Sequence, residues 1–200
     1  MELSLQALEL PIRLRPGHAM TEDDLLRFCA ANDPLRIERE PNGELTIMSP
    51  TGTEAGDLDS EINFQLRAWA NEHNTGKVFS SSAGFRLPDG SVRSPDTSFL
   101  SWGKWNALSR EQTRGYAPIC PEFVLELRSP TDPLQELQEK MFRWISNGAE
   151  LAWLLDPDRK VVEVYSPGAA APDVLEGVTA VFGEGPVAGF VLEMARIWHS

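Results

Sequence analysis

Apolar residues recur at helical spacing in a long segment of the first half of the chain. Leu58, Ile62, Leu66 and Trp69 follow one another at intervals of four, four and three residues. An α-helix repeats about every 3.6 residues, so this spacing places the four side chains on one face. The pattern predicts a helix over residues 54–73 with one buried face.

A second apolar stripe begins after Asp132-Pro133 and stops at Asn147-Gly148. Asp132 is the predicted N-cap of this helix, Pro133 its first residue, and Gln135 completes a pattern similar to a capping box. The members of the stripe are Leu134, Leu137, Met141, Trp144 and Ile145. A shorter helix is predicted over residues 21–31, where Thr21 precedes an acidic first turn.

Short runs that alternate with a period of two predict the strands. The clearest is EFVLELR at residues 122–128, and a hairpin is predicted for residues 35–40 and 44–48 around Pro41-Asn42-Gly43. Further strands are predicted at residues 77–81, 84–87, 97–101, 151–156 and 160–165. Interleaved helices and strands predict a mixed α/β (α+β) fold, with one sheet covered by helices.

Length and composition predict one domain spanning residues 1–200. Residues 1–20 would form an N-terminal extension, and residues 166–200 would add C-terminal strands and loops. The formal net charge is -12, with 18 basic and 30 acidic side chains, and both halves of the chain are acidic. This charge argues against a protein that coats nucleic acid through a broad basic surface, since such binding draws on clustered Lys and Arg.

Composition also excludes several kinds of site. The two cysteines, Cys29 and Cys120, form no CxxC motif, and the three histidines are far apart in the sequence. A zinc ribbon, a disulfide scaffold and a Ser-His-Asp triad are therefore not expected. The N-terminal residues lack the basic start of a signal peptide, and no run approaches the roughly 18 apolar residues of a transmembrane helix, so we expect a cytoplasmic protein without membrane association.

The remaining candidates for catalytic residues are carboxylates and a lysine. Asp96 immediately precedes a predicted strand, Glu126 lies inside the clearest strand, and Lys140 lies at the edge of the apolar stripe of the following helix. Two converging carboxylates repel each other unless a hard divalent cation lies between them. With a lysine nearby, such a set has the components of metal-assisted phosphodiester hydrolysis.

A purely structural interpretation of the same residues stays open at this point. Glu126 could pair with Arg128 on the same strand face, Asp96 could be an ordinary turn residue, and Lys140 could extend to solvent.

Several segments together resemble one family. They are MSPTGTEAG at 48–56, VFSSSAGFRLPDGSVRSPDTSFL at 78–100, PEFVLELRSPTD at 121–132, LQEKMFRWISNGAELAWLLDP at 137–157 and VEVYSPG at 162–168. From about residue 20 onwards the chain resembles the Uma2 family (DUF820), restriction-endonuclease-like proteins of the PD-(D/E)XK nuclease superfamily. The resemblance implies a central mixed sheet of four or five strands between helices.

The resemblance also implies a set of site residues. Asp96, Glu126 and the backbone carbonyl of Leu127 would bind the metal, and Glu61 on the first core helix would assist. The superfamily motif ends in Lys where this chain has Arg128, and an arginine stays protonated and cannot act as a base. Lys140 would therefore replace that lysine from the next helix, and Arg128 would hold the scissile phosphate or pair with Glu126.

These residues lead to a hypothesis of a Mg²⁺- or Mn²⁺-dependent endonuclease that hydrolyses DNA. DNA is the expected partner, and a homodimer is expected because proteins of this fold often pair. The rival hypothesis is a catalytically silent interaction or regulatory module on the same fold, because fold does not imply function. A hydrolase acting on RNA or nucleotides is a third possibility.

Overall fold

The computed structural model describes residues 10–198. The helices are α1 (Glu22–Ala31), α2 (Thr53–His73), α3 (Trp102–Asn106) and α4 (Leu134–Ser146). The strands are β1 (Ile12–Leu14), β2 (Arg36–Arg39), β3 (Leu45–Met48), β4 (Gly76–Ser80), β5 (Phe85–Arg86), β6 (Val92–Arg93), β7 (Thr97–Ser101), β8 (Phe123–Leu127), β9 (Leu151–Asp156), β10 (Val161–Tyr165), β11 (Asp173–Glu176), β12 (Ala180–Phe182) and β13 (Val191–Glu193). Two short 3-10 helices, Gly185–Val187 and Met194–Arg196, flank β13.

The central sheet has six strands in the order β11-β10-β9-β8-β7-β4. Its pairs are antiparallel except β8 and β9, which run parallel because α4 crosses over between them. The sheet is therefore mixed and carries more strands than the four or five that the family resemblance implies. The predicted mixed α+β fold with flanking helices is confirmed.

A smaller antiparallel sheet, in the order β1-β3-β2-β6-β5, lies beside the central one. Its centre is the predicted hairpin, in which β2 and β3 pair around Gly43, whose φ is +83°. The strand β1 was not predicted, and it extends this sheet from within the segment 1–20. A two-stranded sheet of β12 and β13 lies in the C-terminal region.

Within residues 10–198, apolar side chains form three clusters. The largest lies between the central sheet and α2 and includes C-terminal residues such as Phe190 and Ile197. The second lies between α4 and the opposite side of that sheet, where Met141 and Trp144 are fully buried. The third joins α1 to the small sheet. Both predicted apolar stripes are therefore core faces.

Local signals for helix starts were confirmed in one case and wrong in another. Thr21 caps α1 as predicted: its Oγ1 accepts a hydrogen bond from the Asp24 N–H, and the Asp24 side chain accepts one from the Thr21 N–H. Asp132 does not cap α4. The N-cap is Pro133, and the Asp132 carboxylate instead accepts a hydrogen bond from the Ser129 N–H, which closes the preceding turn. Across residues 10–198, none of the helices has both the length and the apolar content to cross a bilayer.

Candidate active site

A charged cleft of about 800 Å³ opens where the small sheet meets α4 and the start of α2. Its walls contain five basic and eight acidic side chains, an excess of three negative charges. The acidic character of the whole chain is therefore also present in its main cleft.

Asp96 and Glu126 meet in this cleft because their strands are neighbours. The antiparallel register pairs Thr97 of β7 with Leu125 of β8, so Asp96, one residue before β7, lies next to Glu126. The Leu127 N–H donates a 2.9 Å hydrogen bond to Asp96 Oδ2, and Leu127 also lines the cleft. Asp96 and Glu126 are 7% and 3% exposed, so both carboxyl groups lie at the bottom of the cleft.

Lys140 reaches the same point from α4. Its Nζ lies 2.9 Å from Glu126 Oε1, and the Trp144 indole N–H donates to that same oxygen at 2.8 Å. Residues 140 and 144 are four apart, so one face of α4 delivers both donors. Burial alone would lower the pKa of Lys140, but Glu126, Glu38 and Asp96 outweigh it and raise the pKa. The lysine is therefore held in its charged form.

The pKa of Glu126 is raised, whereas an ion pair ordinarily lowers the pKa of a carboxyl group. Burial, together with the nearby charges of Asp96 and Glu38, raises its pKa to about 7 despite the contact with Lys140. Burial, which disfavours the charged form, is the largest of these effects and outweighs the lysine.

Glu38 on β2 is a site residue that the sequence did not suggest. Its Oε2 accepts a 3.0 Å hydrogen bond from Arg93, and its Oε1 lies 3.4 Å from Lys140 Nζ and accepts from the Ser94 N–H. Burial would raise its pKa, but Lys140 and Arg93 outweigh burial and lower the pKa. Glu38 therefore stays ionised and fixes Lys140 from the small-sheet side.

Asp59 on α2 is a second unpredicted member of the site. It lines the cleft near Asp96, and its Oδ1 is buried without a hydrogen-bond partner. Burial and the charges of Asp96 and Glu126 raise its pKa to about 7, against the opposing effect of Arg36. A buried carboxylate oxygen with no donor is costly, so this position favours a cation.

Arg36 on β2 forms an ion pair with Asp96. Its Nη2 lies 3.0 Å from Asp96 Oδ1 and also donates to the Ser94 carbonyl at 3.3 Å. About a quarter of its side chain is exposed, at 26%, and it lines the cleft. Arg36 therefore presents a partly accessible cation directly beside Asp96.

Glu61 and Arg128 do not join this cluster. Glu61 is two residues from Asp59, roughly 200° around the helix, and its carboxylate instead accepts from Gln65 and lies 3.6 Å from Arg196. The Arg128 guanidinium forms a 2.6 Å ion pair with Asp156. The helical carboxylate at the site is therefore Asp59 in place of Glu61, and the cleft arginine is Arg36 in place of Arg128.

The donor set suits a hard divalent cation. Asp59, Asp96 and Glu126 offer carboxylate oxygens, which Mg²⁺ and Mn²⁺ prefer, and Asp59 Oδ1 has no hydrogen-bond donor of its own. Within residues 10–198, however, no group of three or more Asp, Glu, His or Cys side chains is already arranged to hold a metal. Arg36 and Lys140 are the present partners of Asp96 and Glu126.

Comparison of the sequence with protein-family models identifies the family. The model of Uma2, described as "Putative restriction endonuclease", matches residues 22–195. The chain belongs to the Uma2 family. The match includes Asp59, Asp96, Glu126 and Lys140, so all four residues lie within the family's domain.

A solved structure has the same fold as this Uma2 chain. It is described as a "putative nuclease belonging to DUF820" from Anabaena variabilis, with a TM-score of 0.70 and 18% sequence identity. The alignment covers 90% of this chain and 97% of that one. Among curated proteins, none matches the chain significantly.

Three of the site residues in this Uma2 chain carried weak sequence signals. Glu38 and Arg36 alternate with Ile37 and Arg39 along β2, which is typical of a hairpin with one solvent-facing side. In the fold, that polar side faces α4 and the carboxylates instead. Asp59 is one of several acidic residues near the start of α2, and only its partly buried position next to Asp96 separates it from the others.

Proposed function

We propose that this Uma2 chain is a divalent-metal-dependent endonuclease that hydrolyses DNA phosphodiester bonds, as expected for a PD-(D/E)XK mechanism. The observation that carries the proposal is the convergence of Asp96 just before β7, Glu126 of β8 and Lys140 of α4 at the bottom of one cleft. A purely structural role for the buried Glu126 would need a cationic partner such as Lys140, but it would not need a second buried carboxylate, Asp96, beside it.

Asp96, Glu126 and Asp59 would hold the metal, and the Leu127 carbonyl is proposed as a further ligand. A bound Mg²⁺ or Mn²⁺ would supply Lewis acidity toward a phosphate oxygen and lower the pKa of an attacking water. Arg36, as a partly exposed cation beside Asp96, is proposed to contact the scissile phosphate in place of Arg128.

Lys140 has a defined role in this proposal. Because its pKa is raised, it carries its proton at neutral pH and serves as a positive donor rather than as a base. It would stabilise charge that develops on the phosphate, while Glu38 and Trp144 fix the site around it. Without a bound cation, burial and the charges of Asp96 and Glu38 raise the pKa of Glu126 to about 7, and a cation held there would favour its ionised form.

The test is cleavage of supercoiled and single-stranded DNA with Mg²⁺ or Mn²⁺. We expect Asp96→Ala and Lys140→Ala each to lower the rate by about 100-fold or more, the scale on which loss of one preorganised charge reduces catalysis. Asp158→Ala and Lys104→Ala change the same residue types outside the cleft and should cleave like the wild type. Unchanged activity in both cleft variants would refute this site.

One observation favours the alternative of a catalytically silent module. Asp96 is already paired with Arg36, and Glu126 and Glu38 with Lys140, so much of the cluster's charge is compensated without a metal. Calorimetric titration with Mg²⁺ and Mn²⁺ separates the two functions. A nuclease binds the ion at a defined stoichiometry that Asp96→Ala abolishes, whereas a silent module shows no such binding.

A homodimer and a cytoplasmic location stay predictions. Both cysteines described by the structure are free thiols, which is consistent with a reducing compartment. Sedimentation of the purified chain would measure the oligomeric state directly.

A further inference from the structure

A second groove leads away from the carboxylates along α2. Its volume is about 460 Å³, and it shares Asp59 and Asp96 with the main cleft. One wall is a face of α2 on which Ser60, Asn63, Phe64 and Arg67 follow Asp59 at helical spacing, and the other includes Ser80 and Ser81 after β4. Its volume lies within the roughly 300–1,000 Å³ of small-ligand sites.

The charge of this groove differs from that of the main cleft. Apart from the two shared carboxylates, its lining has no acidic side chain and one basic one, Arg67. The Arg67 Nη2 donates a 2.6 Å hydrogen bond to the Val78 carbonyl, which orients the guanidinium. Within residues 10–198, Arg67 has no carboxylate partner, so its other N–H groups are available to an anion.

An exposed aromatic ring lies between Asp59 and Arg67. Phe64 is 64% exposed and makes no ring contact within the described part of the chain. The other large apolar side chains with high exposure, Phe142, Val174 and Phe182, line neither cavity. At about 1.5 Å of helix per residue, Phe64 lies about 7.5 Å and Arg67 about 12 Å along α2 from Asp59.

An exposed ring next to a guanidinium without a carboxylate partner is suited to an unpaired nucleotide. Proteins that bind single strands stack bases on aromatic side chains and contact the phosphates with basic ones. In a duplex the bases are stacked on one another inside the helix, so they offer no open face to a protein ring.

We propose that this groove binds an unpaired nucleotide beside the scissile phosphate of a single-stranded nucleic acid. Phe64 stacks on the base, Arg67 contacts the next phosphate, and the Ser80 and Ser81 hydroxyls and the Asn63 amide border the sugar. This inference rests on the proposed nuclease function, because it takes the carboxylate cluster as the position of the scissile phosphate.

The experiment measures fluorescence anisotropy of a labelled oligothymidine strand, and of a duplex of the same length, with the full chain and Ca²⁺ in place of Mg²⁺. Phe64→Ala should weaken binding of the single strand by at least about fivefold, the lower end of the stacking effect of one base. Phe64→Trp should restore it, and Arg67→Gln should also weaken it. Phe182→Ala and Arg114→Gln, which change exposed residues outside both cavities, should bind like the wild type.

Three outcomes would overturn the groove assignment: unchanged single-strand binding by Phe64→Ala, an equal loss with Phe182→Ala, or an equal loss for the duplex. The plasmid-cleavage assay with Asp96→Ala and Lys140→Ala tests the nuclease proposal separately. Metal-dependent cleavage together with an unaffected Phe64→Ala variant would refute the groove and leave the active site standing.

Discussion

Asp59 has fewer hydrogen-bond donors around its carboxylate than Asp96 and Glu126 have. Asp96 accepts hydrogen bonds from Arg36 and the Leu127 N–H, and Glu126 has Trp144 and Lys140 as donors. Asp59 Oδ1 is buried with no partner. A carboxylate in this situation destabilises the folded chain when ionised, and it is stabilised by a bound cation.

Asp59→Asn should therefore stabilise the metal-free protein above neutral pH. The pKa of Asp59 is about 7 in the folded chain against an ordinary value of 3.8, so folding favours the protonated form. Below about pH 4 the Asp59 carboxyl is protonated in both the folded and the unfolded chain, so the protein keeps its full stability. The free energy of unfolding then falls as pH rises to about 7, because only the unfolded chain can release this proton easily. At about pH 8 in chelator, we expect the variant's free energy of unfolding to exceed the wild type's by about 1–3 kcal/mol.

Urea unfolding at several pH values checks this expectation, and Asp57→Asn on the exposed side of the same helix is the matched control. Asp59→Asn should also reduce the increase in melting temperature that Mg²⁺ or Mn²⁺ produces. If the two variants behave alike at every pH, with and without metal, Asp59 has neither an unfavourable charge nor a role as a metal ligand.

At the scale of elements, α1 packs against the hairpin of β2 and β3. This packing positions the site residues that the small sheet supplies. Leu25 and Phe28 of α1 pack against Ile37 of β2, the strand that carries Arg36 and Glu38. The helix starts with a complete capping box at Thr21, whereas α4 starts without a side-chain cap. The helices α1 and α4 therefore owe their stability to different features, a local cap in α1 and a large buried face in α4.

Thr21→Ala should destabilise the chain by about 1 kcal/mol, the usual effect of losing an N-cap side chain. The variant loses the hydrogen bond from the Asp24 N–H to Thr21 Oγ1, 3.1 Å long in the wild type. Thr21→Ser keeps the hydroxyl and should match the wild type, because Ser is at least as good an N-cap as Thr. The urea midpoint measures both variants, and equal midpoints for Thr21→Ala and the wild type would contradict a stabilising role for the cap.

At the scale of the molecule, the negative charge sets the conditions for binding nucleic acid. The net charge is -12, and the main cleft itself has an excess of three negative charges. Phosphate groups approach such a cleft only when cations neutralise its carboxylates. The small groove along α2 is the exception, since its own residues add one positive charge and no negative one.

DNA binding should therefore require divalent ions, and monovalent salt should not substitute for them. We expect measurable anisotropy changes with Mg²⁺ or Ca²⁺ and none in chelator, because the ions neutralise specific carboxylates. Sodium chloride at the same ionic strength is the control, since it screens charges without binding the site and weakens phosphate contacts. Equal binding in chelator and in Ca²⁺ would show that the carboxylates do not control access.

Local sequence was sufficient for most elements, since periodicity and caps act over a few residues. The helix predicted at 54–73 is observed at Thr53–His73, and the predicted hairpin is β2 and β3. The short strands β1 and β6 and the helix α3 carried too few residues for a period to be detected. Asp132 was wrongly predicted as a cap because its carboxylate found a closer partner in the Ser129 N–H.

Three site residues were identifiable from the sequence by their positions. Asp96 directly precedes a predicted strand, Glu126 lies inside the clearest strand, and Lys140 lies at the edge of the apolar stripe of the next helix. Their companions depended on long-range packing. The small sheet places Arg36 and Glu38 against α4, and the helical phase of α2 selects Asp59 over Glu61. A charged side chain on an amphipathic element has the same local pattern whether it faces water or another charged wall, so only the tertiary contacts separate the two cases.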